Sequence, residues 1–389
     1  MKADREGGCA NDELAWPRAS AGHLAPEWVD SFAAVPRALF LSDLIWAHDM
    51  PTGRSVPVSR DVDPVGWQRA AEANVPIVTQ WDDGQHAGTS PGTVPTSSAS
   101  MPSVVAGMLR DLDVREGMRV LEVGTGTGWN AGLLAHRLGG DQVVSVEIDA
   151  AVTERARTAL TRAGLDPEVV HGDGARGWPK GAPYDRVIIT AGVRTVPLDW
   201  LQQVRPGGAI LTPWGTHYSD QDALLRLTVR EDGSAAGPFL RMVEFMKLRN
   251  QRLDWNRFRE HVPQFPGDAD VSRTRLTLAE LGDRYDTLRF VMGLRVPDCA
   301  HVVNQPDTGT AKAWFFDLLS RSWAAVVFRD GEPEPTVYQS GPRRLWDEVE
   351  SAHRWWTACG SPDLTRFGLT VGRDGQRAWL DDPGNSWPV

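Results

Sequence analysis

The chain of 389 residues is 41 % hydrophobic and 24 % charged, an ordinary globular composition that excludes wholesale disorder. Its formal net charge is −10, which excludes the positive field that non-specific binding to nucleic acid or to an anionic membrane requires. We therefore expect neither of these partners.

Cysteine and histidine patterns predict no metal centre and no disulfide framework. The three cysteines, Cys9, Cys299 and Cys359, are far apart and form no C-x-x-C pair, and the nine histidines lack metal-ligand spacing. The N-terminal stretch has no apolar segment of the secretory type, and no run approaches about 18 apolar residues. These features predict a cytoplasmic protein.

Residues 1–112 are predicted to be a helical and loop-rich lead-in. The stretch between Met50 and Thr96 is rich in proline and glycine, which predicts loops. The spacing in Pro102–Leu112 predicts an amphipathic helix, with Ser100 as a candidate N-cap.

Short apolar runs then alternate with helical patterns, which is typical of a parallel sheet covered by helices on both faces. This pattern predicts an α/β, Rossmann-like fold. The predicted strands are 119–123, 142–148, 167–171, 185–190 and 209–212, and the predicted helices are 129–138, 150–164 and 198–204.

The pattern changes after residue 220. Runs such as 224–230 and 239–249 fit either strands or a helix, and 367–380 fits a hairpin. We therefore predict two domains, 1–230 and 231–389, the second of α+β class and assigned to peptide recognition.

A glycine-rich loop follows the first predicted strand of the alternating region. Gly124, Gly126 and Gly128 give the spacing G-x-G-x-G, whereas a dinucleotide fingerprint needs G-x-G-x-x-G and a P-loop needs G-K-[ST]. Glycine lets the backbone approach a ligand closely. The loop therefore predicts a ligand other than a dinucleotide or a nucleoside triphosphate.

Two carboxylates follow the next strands. Glu147 closes one strand, where its two oxygens suit ribose hydroxyls, and Asp173 follows the next strand, where it suits the amine of adenine. Strand ends of an open α/β sheet are a common ligand site, so the pattern predicts a nucleoside site. Asp149 is interpreted as a helix N-cap.

At these motifs the sequence resembles the class I S-adenosylmethionine-dependent methyltransferases, and more narrowly the protein-L-isoaspartate O-methyltransferases. The runs that carry the resemblance are Val35–Phe40, Gly172–Ala191 and Leu201–Gly215, and it covers about residues 25–215. It implies S-adenosylmethionine as cofactor. The implied cofactor-binding residues are Glu122, Gly124, Thr125, Gly126, Gly128, Glu147, Ile148, Gly172, Asp173, Gly174 and Thr190.

The sequence departs from that family before the first cofactor strand. The family's T-x-S-Q-P segment aligns with Ser98-Ala99-Ser100-Met101-Pro102, and the Asp82-Asp83-Gly84 region diverges from the family's loop. With the region after 230, these departures resemble homologues from ribosomal peptide maturation systems, which methylate an Asp side chain and so form an aspartimide. The resemblance implies Ser98 and Ser100 as catalytic residues, and Asp83, His86 and Ser97 as substrate-binding residues.

The expected chemistry suits hydroxyl side chains. A carboxylate with a reference pKa of about 3.9 is already an anion at neutral pH, so it needs orientation and no general base. Structural alternatives stay open for three of these residues. Ser100 would be a helix cap, Ser98 an ordinary loop residue and His86 a solvated loop residue. For the whole protein, the alternatives are a repair methyltransferase for isoaspartyl residues and a non-catalytic cofactor-binding scaffold.

Overall fold

The computed structural model describes residues 24–253, 261–304 and 309–389, so Cys9 lies outside the described residues. Helices and strands are numbered in chain order. The strands are β1 Leu44–Asp49, β2 Arg54–Ser59, β3 Ile77–Trp81, β4 Pro95–Ala99, β5 Val120–Val123, β6 Val143–Glu147, β7 Glu168–His171, β8 Tyr184–Ile189, β9 Val204–Trp214, β10 Asp222–Val229, β11 Ala235–Val243, β12 Asp270–Arg273, β13 Cys299–Asn304, β14 Thr310–Asp317, β15 Trp323–Arg329, β16 Thr336–Ser340, β17 Phe367–Gly372, β18 Gly375–Leu380 and β19 Ser386–Pro388. The helices are α1 Val29–Ala34, α2 Pro64–Glu72, α3 Pro102–Leu112, α4 Trp129–Leu138, α5 Ala150–Arg162, α6 Leu198–Gln203, α7 Thr287–Arg295 and α8 Leu345–Ala358. None of the helices in these ranges is long and apolar enough to cross a membrane.

The chain divides into two compact units that do not follow its linear order. The first unit contains the residues up to Gly117 together with Thr125–Gly172, and the second contains Met118–Gly124 together with Asp173–Val389. The glycine-rich loop is therefore shared, because Gly124 belongs to the second unit and Thr125 to the first.

The first unit begins with a four-stranded antiparallel sheet in the order β2-β1-β3-β4. The prediction of a helical and loop-rich lead-in over residues 1–112 is wrong in this part. The strands have only five or six residues, and half of the residues in the edge strand β2 are exposed. Strand β2, which has no buried residue, gives no alternating apolar pattern from which to predict it. A small core that includes Ile45, Trp67 and Ile77 lies under this sheet.

The rest of the first unit follows the predicted alternation. All five residues of β6 are buried, and β6 pairs with β7 in parallel register. Helix α4 begins after Gly128, which is at φ 91°, and α5 begins after Asp149, whose carboxylate accepts from the Val152 N–H as predicted. Both helices contribute buried apolar residues, such as Leu133 in α4 and Leu160 in α5.

In the second unit, β5, β8 and β9 pair in parallel, and further antiparallel strands extend this sheet. The hydrogen-bonded order is β19-β18-β17-β11-β10-β9-β8-β5. The predicted α/β fold is confirmed, together with a large β-rich region toward the C-terminus. The runs 224–230 and 239–249, which fit either strands or a helix, overlap the strands β10 and β11.

Arg230 lies in the turn between β10 and β11, which pair with each other in an antiparallel hairpin. The predicted division of the chain at residue 230 therefore falls between two neighbouring strands of one sheet. The hairpin β17–β18 was predicted, and β17 adds to this sheet by pairing with β11.

The second unit also contains a separate antiparallel sheet in the order β12-β16-β15-β14-β13. Apolar side chains from this sheet and from α7 and α8 form one core, which includes the buried residues Met292, Phe315, Val326 and Trp346. This sheet and its two helices form the α+β portion expected near the C-terminus.

Candidate functional site

In the first unit, the glycine loop contacts the acidic end of β6. The Gly126 N–H donates to Glu147 Oε2 at 2.9 Å, and the Asp149 N–H donates to Glu147 Oε1 at 3.1 Å. The Glu147 side chain is largely buried, with the residue 9 % exposed. Each carboxylate oxygen can accept more than one hydrogen bond, so Glu147 both holds the loop and keeps capacity for a ligand's hydroxyl groups.

The other predicted residues in this unit shape the same loop. Gly126 has φ 54° and Gly128 has φ 91°, and a Cβ at Gly128 would lie 3.3 Å from the Ala156 Cβ. The Thr125 hydroxyl is buried and lies 2.6 Å from the Ser145 hydroxyl. These contacts fix the loop backbone, because the hydroxyls of Thr125 and Ser145 form a hydrogen bond with each other inside the fold.

Ile148 and Gly172 flank the acidic position. Ile148 follows Glu147 directly and is 42 % exposed, so it presents an apolar side chain at the surface. The Gly172 N–H donates to the Glu147 carbonyl at 2.8 Å, which holds the end of β7 beside that of β6.

The serine segment lies against the glycine loop. Strand β4 carries Ser97 and Ser98, and a Cβ at Gly126 would lie 3.3 Å from the Ser98 carbonyl oxygen and 3.9 Å from the Ser97 hydroxyl. Ser97 is buried and accepts a hydrogen bond from the Thr79 hydroxyl at 3.3 Å. The structure therefore brings together the predicted substrate segment and the predicted cofactor loop within one unit.

Ser100 is not a helix cap. Helix α3 begins at Pro102, its N-cap position is Met101, and no side chain caps it. The Ser100 carbonyl instead accepts from the Arg37 guanidinium at 3.1 Å, while Ser100 itself is half-buried. The capping alternative for Ser100 is thus wrong, because the helix begins one residue too late for it.

Sequence reasoning missed the role of Arg37. Its buried guanidinium donates hydrogen bonds to five backbone carbonyls. The acceptors are the carbonyl oxygens of Ala70, Ala71, Ala73, Val75 and Ser100. Arg37 therefore joins the C-terminal end of α2, where carbonyls lack helical partners, to the serine segment. The resemblance marked Val35–Phe40, but carbonyl acceptors carry no signal in a sequence.

The predicted substrate loop has an unusual backbone. Asp82 and Asp83 have φ values of 51° and 52°, and Gly84 follows with φ 83°. Left-handed non-glycine residues are strained, and such strain is concentrated at functional sites. The Thr93 and Val94 N–H groups donate to the Asp82 carboxylate at 3.0 and 2.7 Å, and these bonds lower the pKa of Asp82 below its ordinary value.

His86 and Asp83 are held within this loop. His86 is half-buried, its ring packs edge-on against Trp46 at 6.4 Å, and its Nε2 lies 2.7 Å from the Ser90 carbonyl oxygen. The Asp83 side chain is exposed, and the Asp83 N–H donates to the Thr96 hydroxyl at 3.1 Å. These contacts hold His86 and Asp83 within a loop whose residues are mostly exposed.

In the second unit, the predicted residues lie at the ends of β5 and β8 and after β7. The Thr190 hydroxyl donates to the Gly124 carbonyl at 2.5 Å, and a Cβ at Gly124 would lie 2.8 Å from this hydroxyl. Gly124 has φ 95°, so glycine is required there by conformation as well as by space. Glu122 is completely buried in β5.

Asp173 and Gly174 follow the end of β7. The exposed Asp173 carboxylate accepts from the Ala175 N–H at 3.0 Å, which leaves its second oxygen toward the surface. A Cβ at Gly174 would lie 2.5 Å from the Val123 Cγ1, so only glycine fits against β5 at this position. Asp173 is thus placed at the surface, where a ligand can reach it.

A buried ion cluster near Thr190 was not predicted. The Asp222 carboxylate is fully buried and accepts from Arg194 Nη1 at 2.6 Å and from Lys247 Nζ at 2.7 Å. Burial, with the positive charges of Arg194 and Lys247, lowers the pKa of His217 to about 4. The Gly192 N–H donates to the Met246 carbonyl, and the cluster thereby fastens the segment after β8 to the segment after β11. No group of three His, Cys, Asp or Glu side chains among the described residues is arranged to hold a metal ion.

Comparison with known proteins identifies the family. The family model for protein-L-isoaspartate(D-aspartate) O-methyltransferase (PCMT) matches residues 86–253. A protein-L-isoaspartate O-methyltransferase of Pyrococcus horikoshii is 45 % identical over 136 residues, which cover 35 % of this chain and 61 % of that protein. Protein-L-isoaspartate O-methyltransferase 2 of Archaeoglobus fulgidus is 37 % identical over 154 residues, which cover 39 % of this chain and 69 % of that protein. The chain thus spans about three fifths to two thirds of the length of these relatives.

A solved structure extends the likeness to the β-rich region. A protein named protein-L-isoaspartate O-methyltransferase aligns with 92 % of this chain and 96 % of its own, with a TM-score of 0.51 and 22 % sequence identity. At this identity the likeness concerns the fold alone. The region after residue 230 therefore does not by itself separate this chain from proteins of that name. The chain belongs to the protein-L-isoaspartate O-methyltransferase family.

Proposed function

We propose that the chain is an S-adenosylmethionine-dependent O-methyltransferase that esterifies a carboxylate side chain of a peptide. One observation supports this proposal above the others: the Gly126 N–H donates to the Glu147 carboxylate, and a Cβ at Gly126 would lie 3.3 Å from the Ser98 carbonyl oxygen. A cofactor loop and an acceptor segment that lie beside each other are what transfer between two bound groups requires, because alignment supplies much of the rate enhancement.

The residues present fit this cofactor. In the first unit, Glu147 offers acceptor capacity for ribose hydroxyls and exposed Ile148 offers an apolar surface for a purine ring. In the second unit, Asp173 has an exposed oxygen, and the family resemblance assigns this position to the amine of adenine. Gly124 and Gly126 have positive φ values, a backbone conformation that glycine adopts without strain. When bound, S-adenosylmethionine supplies an electrophilic methyl group on a sulfonium.

On the acceptor side, the serine segment orients a carboxylate without removing its charge. The Ser98 and Ser100 hydroxyls donate one hydrogen bond each and leave the acceptor anionic, whereas an arginine or lysine pair would reduce its nucleophilicity. A carboxylate oxygen gains the methyl group while the carbon–sulfur bond breaks, which gives a neutral ester. The following backbone nitrogen then displaces methanol and loses its proton, and a succinimide ring forms.

We further propose that the acceptor is an Asp side chain of a ribosomal precursor peptide, and that the product is an aspartimide or the isoaspartate formed by its hydrolysis. The support is the divergence of the serine segment, where Met101 replaces the family's Gln, and the unusual loop at Asp82 and Asp83. Repair of isoaspartyl residues is the second candidate. It is favoured by the names of the relatives, which are protein-L-isoaspartate O-methyltransferases.

Mass spectrometry separates these candidates. The purified chain is incubated with S-adenosylmethionine and either an isoaspartyl peptide or the Asp-containing precursor peptide from its own gene neighbourhood. Gain of one methyl mass followed by loss of methanol on the precursor alone supports peptide maturation, whereas methylation of the isoaspartyl peptide supports repair. Cofactor binding without methylation of either would point to a scaffold.

Two serine variants make the assay specific. Ser98→Ala and Ser100→Ala should each lower the rate of methylation with little change in cofactor affinity, because their hydroxyls orient only the acceptor. Ser42→Ala is the matched control, since Ser42 is an exposed residue whose hydroxyl donates only to the nearby Leu44 carbonyl. If the two serine variants lose no more activity than Ser42→Ala, neither hydroxyl takes part in the mechanism.

A further inference from the structure

One buried side chain links the loop at Asp83 to the carboxylate at Glu147. The Asp83 N–H donates to the Thr96 hydroxyl at 3.1 Å, and that hydroxyl donates to Gln80 Oε1 at 2.9 Å. Gln80 Nε2 then donates to Asp149 Oδ2 at 3.3 Å, and the Asp149 N–H donates to Glu147 Oε1 at 3.1 Å. All five residues belong to the first unit.

The amide of Gln80 suits this place because it accepts at one end and donates at the other. The residue is 8 % exposed, so its contacts are shielded from competing water. It also lies against the strained loop, because a Cβ at Gly84 would lie 3.1 Å from Gln80 Nε2. The acceptor of its donated bond is a carboxylate, which makes that bond stronger than one between neutral groups.

We propose that Gln80 is a positioning residue that couples occupancy of the cofactor site to the order of the loop Asp82–Val94. The inference rests on the proposed function, since it takes Glu147 as a ligand of the cofactor. Gln80 touches neither reacting group. It sets the position of Asp149, whose N–H holds one oxygen of Glu147, while the other oxygen holds Gly126.

The coupling depends on acceptor oxygens that the protein and the ligand share. A ligand hydroxyl that binds Glu147 competes with or tightens the N–H bonds to the same oxygens, and either change alters the position of Asp149. Because Gln80 is bonded to both Asp149 and Thr96, this change reaches the N–H of Asp83 through three hydrogen bonds. Coupling of this kind is reciprocal, so order in the loop also favours cofactor binding.

Affinity for S-adenosylhomocysteine, the demethylated cofactor, is the first test. Calorimetry on the full chain should give a dissociation constant roughly tenfold higher for Gln80→Leu, which removes the bond to the Asp149 carboxylate. Gln80→Glu should weaken binding at least as much, because it places a second carboxylate beside Asp149. Gln68→Leu is the control, since Gln68 is exposed and bonds only to Glu72 on its own helix.

Rescue distinguishes positioning from simple loss of packing. In the double variant Gln80→Glu/Asp149→Asn, the amide and the carboxylate exchange places, so one donor and one acceptor face each other again. The new amide still caps α5 through its oxygen. The affinity for S-adenosylhomocysteine should return to within about twofold of the wild-type value, because one hydrogen bond of ordinary strength is restored. A residue that only filled space would not be rescued in this way.

Amide hydrogen exchange tests the coupling itself. Saturating S-adenosylhomocysteine should slow exchange in peptides covering residues 82–94 of the wild-type chain and of Gln68→Leu. In Gln80→Leu, saturating S-adenosylhomocysteine should leave the exchange rates of that loop unchanged. If the ligand binds and the loop responds equally in wild type and Gln80→Leu, or if the double variant is not rescued, the coupling is wrong while the proposed function stands. If the wild-type chain binds no S-adenosylhomocysteine, the proposed function is wrong and the coupling fails with it.

Discussion

Replacement of Arg37 by methionine should release the serine segment from the C-terminal end of α2. Methionine keeps much of the side chain's apolar length but removes every donor to the five carbonyl groups. The bond to Ala71 is fully buried, and a buried carbonyl left without a partner costs about 1–3 kcal/mol. The other four bonds are partly buried, so water replaces them in part. We expect a loss of about 2–4 kcal/mol from a total that is typically 5–15 kcal/mol.

Native-state hydrogen exchange of α2 measures this loss locally. Because three of the acceptors are the carbonyls of Ala70, Ala71 and Ala73 at the end of this helix, its amides should exchange roughly thirty-fold to several hundred-fold faster in Arg37→Met. The α2 amides of Arg37→Lys should exchange at rates between those of the wild type and of Arg37→Met, since an ammonium keeps the charge but has three donors on one nitrogen. The methylation rate should also fall, because the Ser100 backbone loses its anchor.

Arg69→Met is the matched control for this experiment. Arg69 lies in the last turn of the same helix but is exposed, so its replacement should change the stability of α2 by less than about 0.5 kcal/mol. If Arg37→Met exchanges at the same rate as Arg69→Met, the carbonyl contacts contribute nothing measurable. The anchoring role assigned to Arg37 would then be refuted.

Three further predictions concern other parts of the chain. Glu147→Gln should raise the dissociation constant for S-adenosylhomocysteine about tenfold by calorimetry, because the amide cannot accept from both N–H groups, whereas exposed Glu154→Gln should leave it unchanged. Asp222→Asn should destabilise the chain by about 3–5 kcal/mol, because two buried cations lose their counter-charge; an unchanged thermal midpoint would contradict this. Burial, with the nearby Arg289, lowers the pKa of His301 to about 3 from its ordinary 6.5. The unfolded chain therefore binds an extra proton between these values, and this histidine lowers stability as pH falls below 6.5, by about 2 kcal/mol at pH 5. His301→Phe should flatten the dependence of the thermal midpoint on pH between 7 and 5, and an unaltered dependence would exclude His301 as its source.

The sequence predicts the parallel strands and the glycine loop because their signals are local. Strands β5 and β6 are runs of buried residues, and Gly124 and Gly126 stand where a positive φ is needed. Helix α4 has the predicted bounds for the same reason, since it begins directly after Gly128. The structure of these elements is therefore determined largely by the residues within them.

The antiparallel sheet β1–β4 and the anchoring contacts are not local. Strand β2 has no buried face, so its sequence does not distinguish it from a loop. Asp222 meets Arg194 and Lys247 across 28 and 25 residues of chain, and Arg37 meets Ser100 across 63. Neither apolar periodicity nor motif spacing encodes such pairs, and they appear only when the chain is folded.

Transfer of an isotopically labelled methyl group from S-adenosylmethionine tests the central claim most directly. Carboxyl esters hydrolyse in mild base and release labelled methanol, whereas methyl groups on nitrogen or carbon do not. We expect peptide-bound label that is fully volatile after base treatment, and that is greatly reduced in the Ser98→Ala/Ser100→Ala double variant. Label that withstands base, or no labelled peptide with either the isoaspartyl or the precursor substrate, would contradict methylation of a carboxylate by this chain.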